Sequence, residues 1–141
     1  MWHWIYWRCW KELRIEDIPA LLELAQKKSW WDTVDGLAGI VGDILKGQHD
    51  HMDAALAHKN IWLRRIAMLH QLGWRDRLNQ PRLFSYALAL SSEKEFFIQK
   101  AIGWALRDYA WHDPDAVREF LKASARLPAL SYREANKHLK Q

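Results

Sequence analysis

A single cysteine, four prolines and six glycines stand in a chain of 141 residues, and each scarcity excludes something. Cys9 has no partner for an intrachain disulfide, which points to a reducing, cytoplasmic setting. So little glycine and proline, beside 50% hydrophobic and 27% charged residues, excludes collagen-like repeats and disorder. No apolar run approaches the roughly 18 residues of a membrane span. The opening MWHWIYWRCW has neither the basic start nor the aliphatic core of a secretion signal. Sustained alternating stretches and β-branched clusters are also missing, so strands are not expected. Nor is there a Gly-rich phosphate loop or a nucleophile elbow. His49, His51 and Asp53 in GQHDHMD match no zinc spacing, so neither a metal nor a cofactor is expected. Cys9, set among four tryptophans, reads as buried and inert rather than as a catalytic thiol.

Tryptophan is what the chain has in excess, with 10 residues. Large flat side chains serve as core, as interface anchors or as stacking platforms, so their places on helices must decide. Charge is uneven. Residues 1–61 carry 7 Lys/Arg against 9 Asp/Glu, and residues 62–141 carry 14 against 8. A basic half suits a polyanionic partner, and equally an ordinary solvated surface.

Helix punctuation predicts an all-α chain of seven or eight helices of about 10 to 18 residues with short loops, hence antiparallel neighbours packed in pairs. Asp17 precedes IPALLELAQKK as an N-cap, with Pro19 in the first turn. Asn60 precedes IWLRRIAMLHQLG, which Gly73 closes. Ser92 with Glu95, and Ser131 with Glu134, have capping-box spacing, and Asp113-Pro114 opens DAVREFLKAS. One domain spans 1–141. Periodicity alone leaves a globular bundle and a short α-solenoid both open.

Several residues fall on unexpected stripes. In Ser29–Lys46, helical spacing puts Trp30, Val34, Leu37, Val41 and Leu45 on the core stripe. The adjacent stripe carries Trp31, Asp35, Ala38 or Gly39, and Gly42: an aromatic ring and an acid above small residues that leave open space. In the next long helix Ile61, Met68 or Leu69, and Leu72 form an apolar stripe interrupted by Arg65, which needs an anionic partner: an internal acid such as Asp35, an external phosphate, or each in a different state. Arg64, one position round, reads as a surface residue. In the helix from Glu93 to Trp111, Ile98, Ala101, Ile102, Ala105, Leu106 and Tyr109 face the core. Trp104 lies on another face between Lys100 and Arg107, continuing to Trp111, a pattern that suits a nucleic-acid backbone or a Trp shielded by basic stems.

Three segments, KSWWDTVDGLAGIVGDIL (28–45), NIWLRRIAMLHQLG (60–73) and EFFIQKAIGWALRDYAWHDPDAV (95–117), together resemble the AlkD-like DNA alkylation repair family over roughly residues 20 to 140. The resemblance implies a short α-solenoid of HEAT-like helical repeats. It also implies a DNA glycosylase that hydrolyses the N-glycosidic bond of cationic N3- or N7-alkylated purines in duplex DNA. Matched residue by residue, it makes Asp35, Trp31 and Trp104 catalytic and Arg65 the holder of a neighbouring phosphate. Lys100, Arg107 and Arg64 are further DNA-contact candidates.

The resemblance also implies a departure, because family members carry further repeats ahead of the WWD segment. Residues 1–19 are expected to form a divergent Trp-rich cap, with 20–141 as the family-like core. Trp4, Trp7 and Trp10 would cap the solenoid end or offer an apolar surface for self-association. Weaker DNA binding follows from the shortened end. Two further readings differ in class: a non-catalytic member recognising distorted or branched DNA, and a protein-interaction solenoid whose binding would ignore salt.

Overall fold

In a computed structural model, residues 13–27, 30–45, 47–124 and 126–139 are described. The expected cap, with Cys9 and Trp4, Trp7 and Trp10, lies outside them. Among the described residues there are eight α-helices and no strand: α1 (Ile18–Lys27), α2 (Trp31–Leu45), α3 (Asp50–Leu56), α4 (Ile61–Leu69), α5 (Gln80–Ala89), α6 (Phe96–Ala110), α7 (Pro114–Ala123) and α8 (Ala129–Ala135). They run from 7 to 15 residues, shorter than punctuation suggested. No helix among the described residues is long and apolar enough to cross a membrane.

Contacts between elements reveal two layers. α2, α4, α6 and α8 pack in succession as one row, while α3, α5 and α7 each pack beside that row. Side-chain bonds give its direction: Asp35 meets Arg65, and Gly42 lies against His70 further along both helices. Successive members of the row are therefore parallel, and each intervening helix returns the chain. The bonds from α2 to α4, α4 to α6 and α6 to α8 span 30, 32 and 32 residues. A helix pair recurring at that interval is a helical-repeat solenoid, in which each unit buries its apolar face on its neighbours.

Local chemistry starts several helices as expected. The Asn60 side chain accepts from the Trp62 amide, Asn79 from Arg82 with Pro81 in the first turn, and Asp113 from Ala116. Gly73 adopts φ +82°, a left-handed conformation that suits glycine, and its amide donates to Asp108 on α6.

Three expected caps differ. Asp17 closes a short 3-10 turn, Ile15–Asp17, by accepting from the Arg14 amide, and α1 begins after it. Glu95 is itself the N-cap of α6 and makes no side-chain cap bond, so Ser92 and Glu95 form no box. The last helix begins at Ala129, behind Pro128, placing Ser131 and Glu134 inside it. Both are buried because α6 supplies partners: the Ser131 hydroxyl donates to the Gln99 carbonyl, and Glu134 accepts from Lys100. A tertiary partner outweighs a local cap that water could replace.

Val34, Leu37, Val41 and Leu45 are buried as the α2 stripe predicts, as are the six core positions of α6. Trp30 is not, at 56% exposed. It precedes the first residue of α2, off the helical phase, and meets Phe97 edge-on at 5.9 Å. Gly42 does not leave open space: a Cβ there would lie 2.1 Å from the His70 carbonyl oxygen.

Behind the row lies a polar network that sequence spacing did not reveal. His49, at the start of α3, and His70, at the end of α4, are buried and share a 2.9 Å Nδ1 to Nε2 hydrogen bond. The Ala67 carbonyl lies 2.7 Å from His70 Nδ1. That nitrogen must carry the proton, leaving Nε2 to accept from His49. Nearby, Asp53 accepts from Arg82 and from the Tyr86 hydroxyl. The Arg82 bond holds the Asp53 pKa down to about 2, and burial pushes Tyr86 up. Among the described residues no group of three or more His, Cys, Asp or Glu is placed to hold a metal.

Burial lowers the His70 pKa to about 4. The folded state therefore prefers the neutral ring, and the unfolded chain binds the extra proton between about pH 6.5 and 4. Stability is complete above the unfolded value and declines as pH falls through that window, by about 3 kcal/mol for a shift of this size. Urea midpoints measured from about pH 7.5 to 4.5 should fall accordingly. A His70→Gln chain retaining the same pH slope would show that another group is responsible.

Candidate active site

The face of the row brings together the oddly placed residues. Trp31 is the first residue of α2 and is 40% exposed. Asp35 follows one turn later, with its side chain 24% exposed. Across from it, Arg65 on α4 is 1% exposed. Its Nε and Nη2 donate to the two Asp35 oxygens at 2.7 and 2.9 Å, and Nη1 donates to the Phe97 carbonyl. The guanidinium carbon lies 5.1 Å from the Trp104 ring centroid and 5.8 Å from that of Phe97.

This arrangement gives Arg65 the internal partner that its place on an apolar stripe calls for. All three guanidinium nitrogens donate inside the protein, and the side chain is shielded from solvent. A planar guanidinium binds both oxygens of a carboxylate at once, which fixes its orientation as a lysine could not. Each Asp35 oxygen keeps lone-pair capacity beyond its single bond to Arg65, on a carboxylate that remains partly open to solvent.

Arg64 is also not the surface residue expected. Only 13% of its side chain is exposed, and it is bound to Glu93 and to the His58 carbonyl. These partners, brought in by the α3–α4 and α5–α6 loops, hold the side chain against the protein.

Trp104 is partly buried, with Lys100 Nζ 5.9 Å from its centroid. Lys100 and Arg107 flank it as spacing predicted, but both reach back to Glu134 on α8, at 2.8 and 3.3 Å. Lys137 reaches the same carboxylate at 3.3 Å. The Lys100 bond leads the effects that hold Glu134 below the usual carboxylate pKa. Trp111, expected to continue this face, is 62% exposed. Phe97 adds a carbonyl and a ring to the site, packing on Trp62 at 5.1 Å and on Phe96 at 5.4 Å. Sequence reasoning missed Phe97 because its backbone carbonyl serves Arg65, and it missed Glu134 because capping spacing explained that acid locally.

Chemically, the site is a carboxylate oriented by a buried cation, bordered by indole rings and by a cluster of cations. It suits a substrate that develops positive charge next to a polyanionic chain.

Comparison with known proteins gives a consistent picture. A family model described as DNA alkylation repair enzyme matches residues 4–139. No curated protein matches the chain. A solved structure described as "Predicted DNA alkylation repair enzyme from Enterococcus faecalis" is similar with a TM-score of 0.83 and 31% sequence identity. The alignment covers 94% of this chain and 63% of that one, so this chain spans less than two thirds of that protein.

Proposed function

Because the chain belongs to the DNA alkylation repair enzyme family, we propose that it excises cationic N3- or N7-alkylated purines from duplex DNA by hydrolysing their N-glycosidic bond. The observation that carries this reading is the Asp35 carboxylate, held at both oxygens by buried Arg65 and still partly open to solvent one turn from Trp31.

An alkylated purine already bears a positive charge, so it departs with the bonding electron pair and becomes neutral without a general acid. Positive charge moves to the deoxyribose, which approaches an oxocarbenium ion. Electrostatic groups aimed at that sugar lower the barrier because they interact more strongly there than with the ground state. Asp35 supplies the negative charge and orients water toward C1′. The water's oxygen forms the new bond, its proton passes to solvent or to Asp35, and an abasic sugar remains.

Trp31 offers an exposed indole face for the sugar, and Trp104 a partly buried one, with cation–π attraction growing as charge develops. Arg65 acts through Asp35 and Trp104 as a positioning residue. The row of α2, α4, α6 and α8 is the DNA-facing side, and Lys100 and Arg107 contact the backbone.

Single-turnover release of N7-methylguanine from a duplex tests the reading, with spontaneous depurination as baseline. The intact chain should exceed the baseline, and Asp35→Asn should slow it roughly a hundredfold, the usual loss for one preorganised electrostatic group. Release at the baseline rate with the duplex still bound would replace the enzyme by a non-catalytic DNA-binding protein.

A further inference from the structure

Ion pairs among the described residues are balanced at four of the places where Lys or Arg meets a carboxylate across elements or along one helix. Arg64 faces Glu93, Arg65 faces Asp35, Arg82 faces Asp53, and Arg118 faces Asp115. Glu134 differs, because Lys100, Arg107 and Lys137 converge on its one carboxylate. The cluster keeps two positive charges in excess. It is also anchored: Glu134 is 5% exposed, and its Cβ lies where a Cβ on Gly103 would come within 2.5 Å, so α8 sits hard against α6 at this point.

The three cations are partly open to solvent, with side-chain exposures of 25%, 27% and 52%. A lysine ammonium has three donors and an arginine guanidinium five, so the bonds to Glu134 leave most of them unused. Lys100 and Arg107 stand on α6, the next helix of the row after Arg65 on α4, Lys137 follows the end of α8, and Lys100 also lies over Trp104.

We infer that Lys100, Arg107 and Lys137, held by Glu134, form a cradle for a backbone phosphodiester of the duplex, set beside Trp104 so that the phosphate fixes the register of the sugar at the site. Glu134 is a positioning residue in this cradle. A free lysine loses side-chain entropy when it binds phosphate, whereas a lysine already tethered has lost much of it beforehand. A carboxylate facing three cations orients them and still leaves a net attraction for a phosphate. The inference rests on the reading that this row faces DNA.

The test is the salt dependence of binding to a short duplex carrying one stable abasic-site analogue, measured by fluorescence anisotropy. Each phosphate contact contributes about −0.9 to the slope of log affinity against log salt. Lys137→Met, which leaves Lys100 and Arg107 on the phosphate, should reduce the slope by part of that amount, Lys137→Arg should restore it, and Lys122→Met on α7 should leave it unchanged. Glu134→Gln gives a difference in sign. Charge alone predicts tighter binding from the added positive charge, whereas loss of the anchor predicts weaker binding, by severalfold, in a chain whose melting shows it folded.

An unchanged slope in Lys137→Met, or tighter binding by folded Glu134→Gln, would overturn the cradle. If excision persists while the Lys137→Met slope is unchanged, the cradle fails and the glycosylase stands. A reduced slope in a chain that excises nothing supports the cradle and removes the glycosylase.

Discussion

Asp35→Ala should cost about 4 kcal/mol of folding stability, before any effect on chemistry is considered. The reason lies on its partner. Arg65 is 1% exposed and directs two of its three donating nitrogens at the Asp35 oxygens. Without them the guanidinium keeps the Phe97 carbonyl alone, and it cannot shed its charge to relieve the burial, because its proton is held far above neutral pH.

Arg65→Met instead leaves no unpaired buried charge, since the Asp35 carboxylate is 24% exposed and can be hydrated. Asp35→Ala combined with Arg65→Met should therefore recover a large part of the loss, as replacing both members of a buried pair generally does. Urea denaturation of the two single variants and the double variant gives the coupling directly. An Asp35→Ala chain within about 1 kcal/mol of the parent would mean that the guanidinium finds another acceptor or water. For catalysis the consequence is practical: Asp35→Asn, which retains one acceptor oxygen, is the variant whose rate reports chemistry, and Asp35→Ala reports folding first.

Arg65 also shows how far the fold and the site could be read from residue spacing. A cation on an apolar stripe demands an anion, and Asp35 was already a candidate. Pairing the two required knowing that α2 and α4 are parallel and how closely they approach, which one helix's periodicity does not contain. Trp30 shows a different limit: its place on the stripe assumed a helix beginning at Ser29, two residues before the actual start at Trp31. Helix identity was legible because apolar spacing and Asn60, Asn79 and Asp113 act locally.

Glu134 was not legible as a site residue. Its distance from Ser131 is that of a local cap, while two of its three partners lie on α6, 27 and 34 residues away. The His49 and His70 pair was likewise hidden, because a metal-spacing test asks about neighbours in sequence and His70 lies 21 residues from His49. Local rules identified which side chains were out of place; distant partners determined what each was for.

Two glycines on α2 should respond in opposite ways to the same added methyl group. At Gly39, which is exposed, a Cβ would meet nothing within 4 Å. Gly39→Ala should stabilise the chain by roughly 0.7 kcal/mol, through helix propensity and a less flexible unfolded state. At Gly42 the new atom would stand 2.1 Å from the His70 carbonyl oxygen and 3.2 Å from its carbon. Backbone cannot rotate away as a flexible side chain does, so α2 and α4 must separate, at a cost of roughly 4 kcal/mol.

That separation reaches the candidate active site, because Gly42 lies two helical turns beyond Asp35 on the same stripe. Both residues face α4, Asp35 through Arg65 and Gly42 through His70. A wedge at one contact opens the other, so a Gly42→Ala chain that still folds at low temperature should lose excision activity along with stability. Thermal melting of the two alanine variants, followed by excision assays well below their midpoints, separates the effects. A Gly42→Ala protein as stable as the parent would show that the two helices need not approach so closely. A destabilised one with full activity would show that the Asp35 and Arg65 pair holds its geometry independently of the crossing at Gly42.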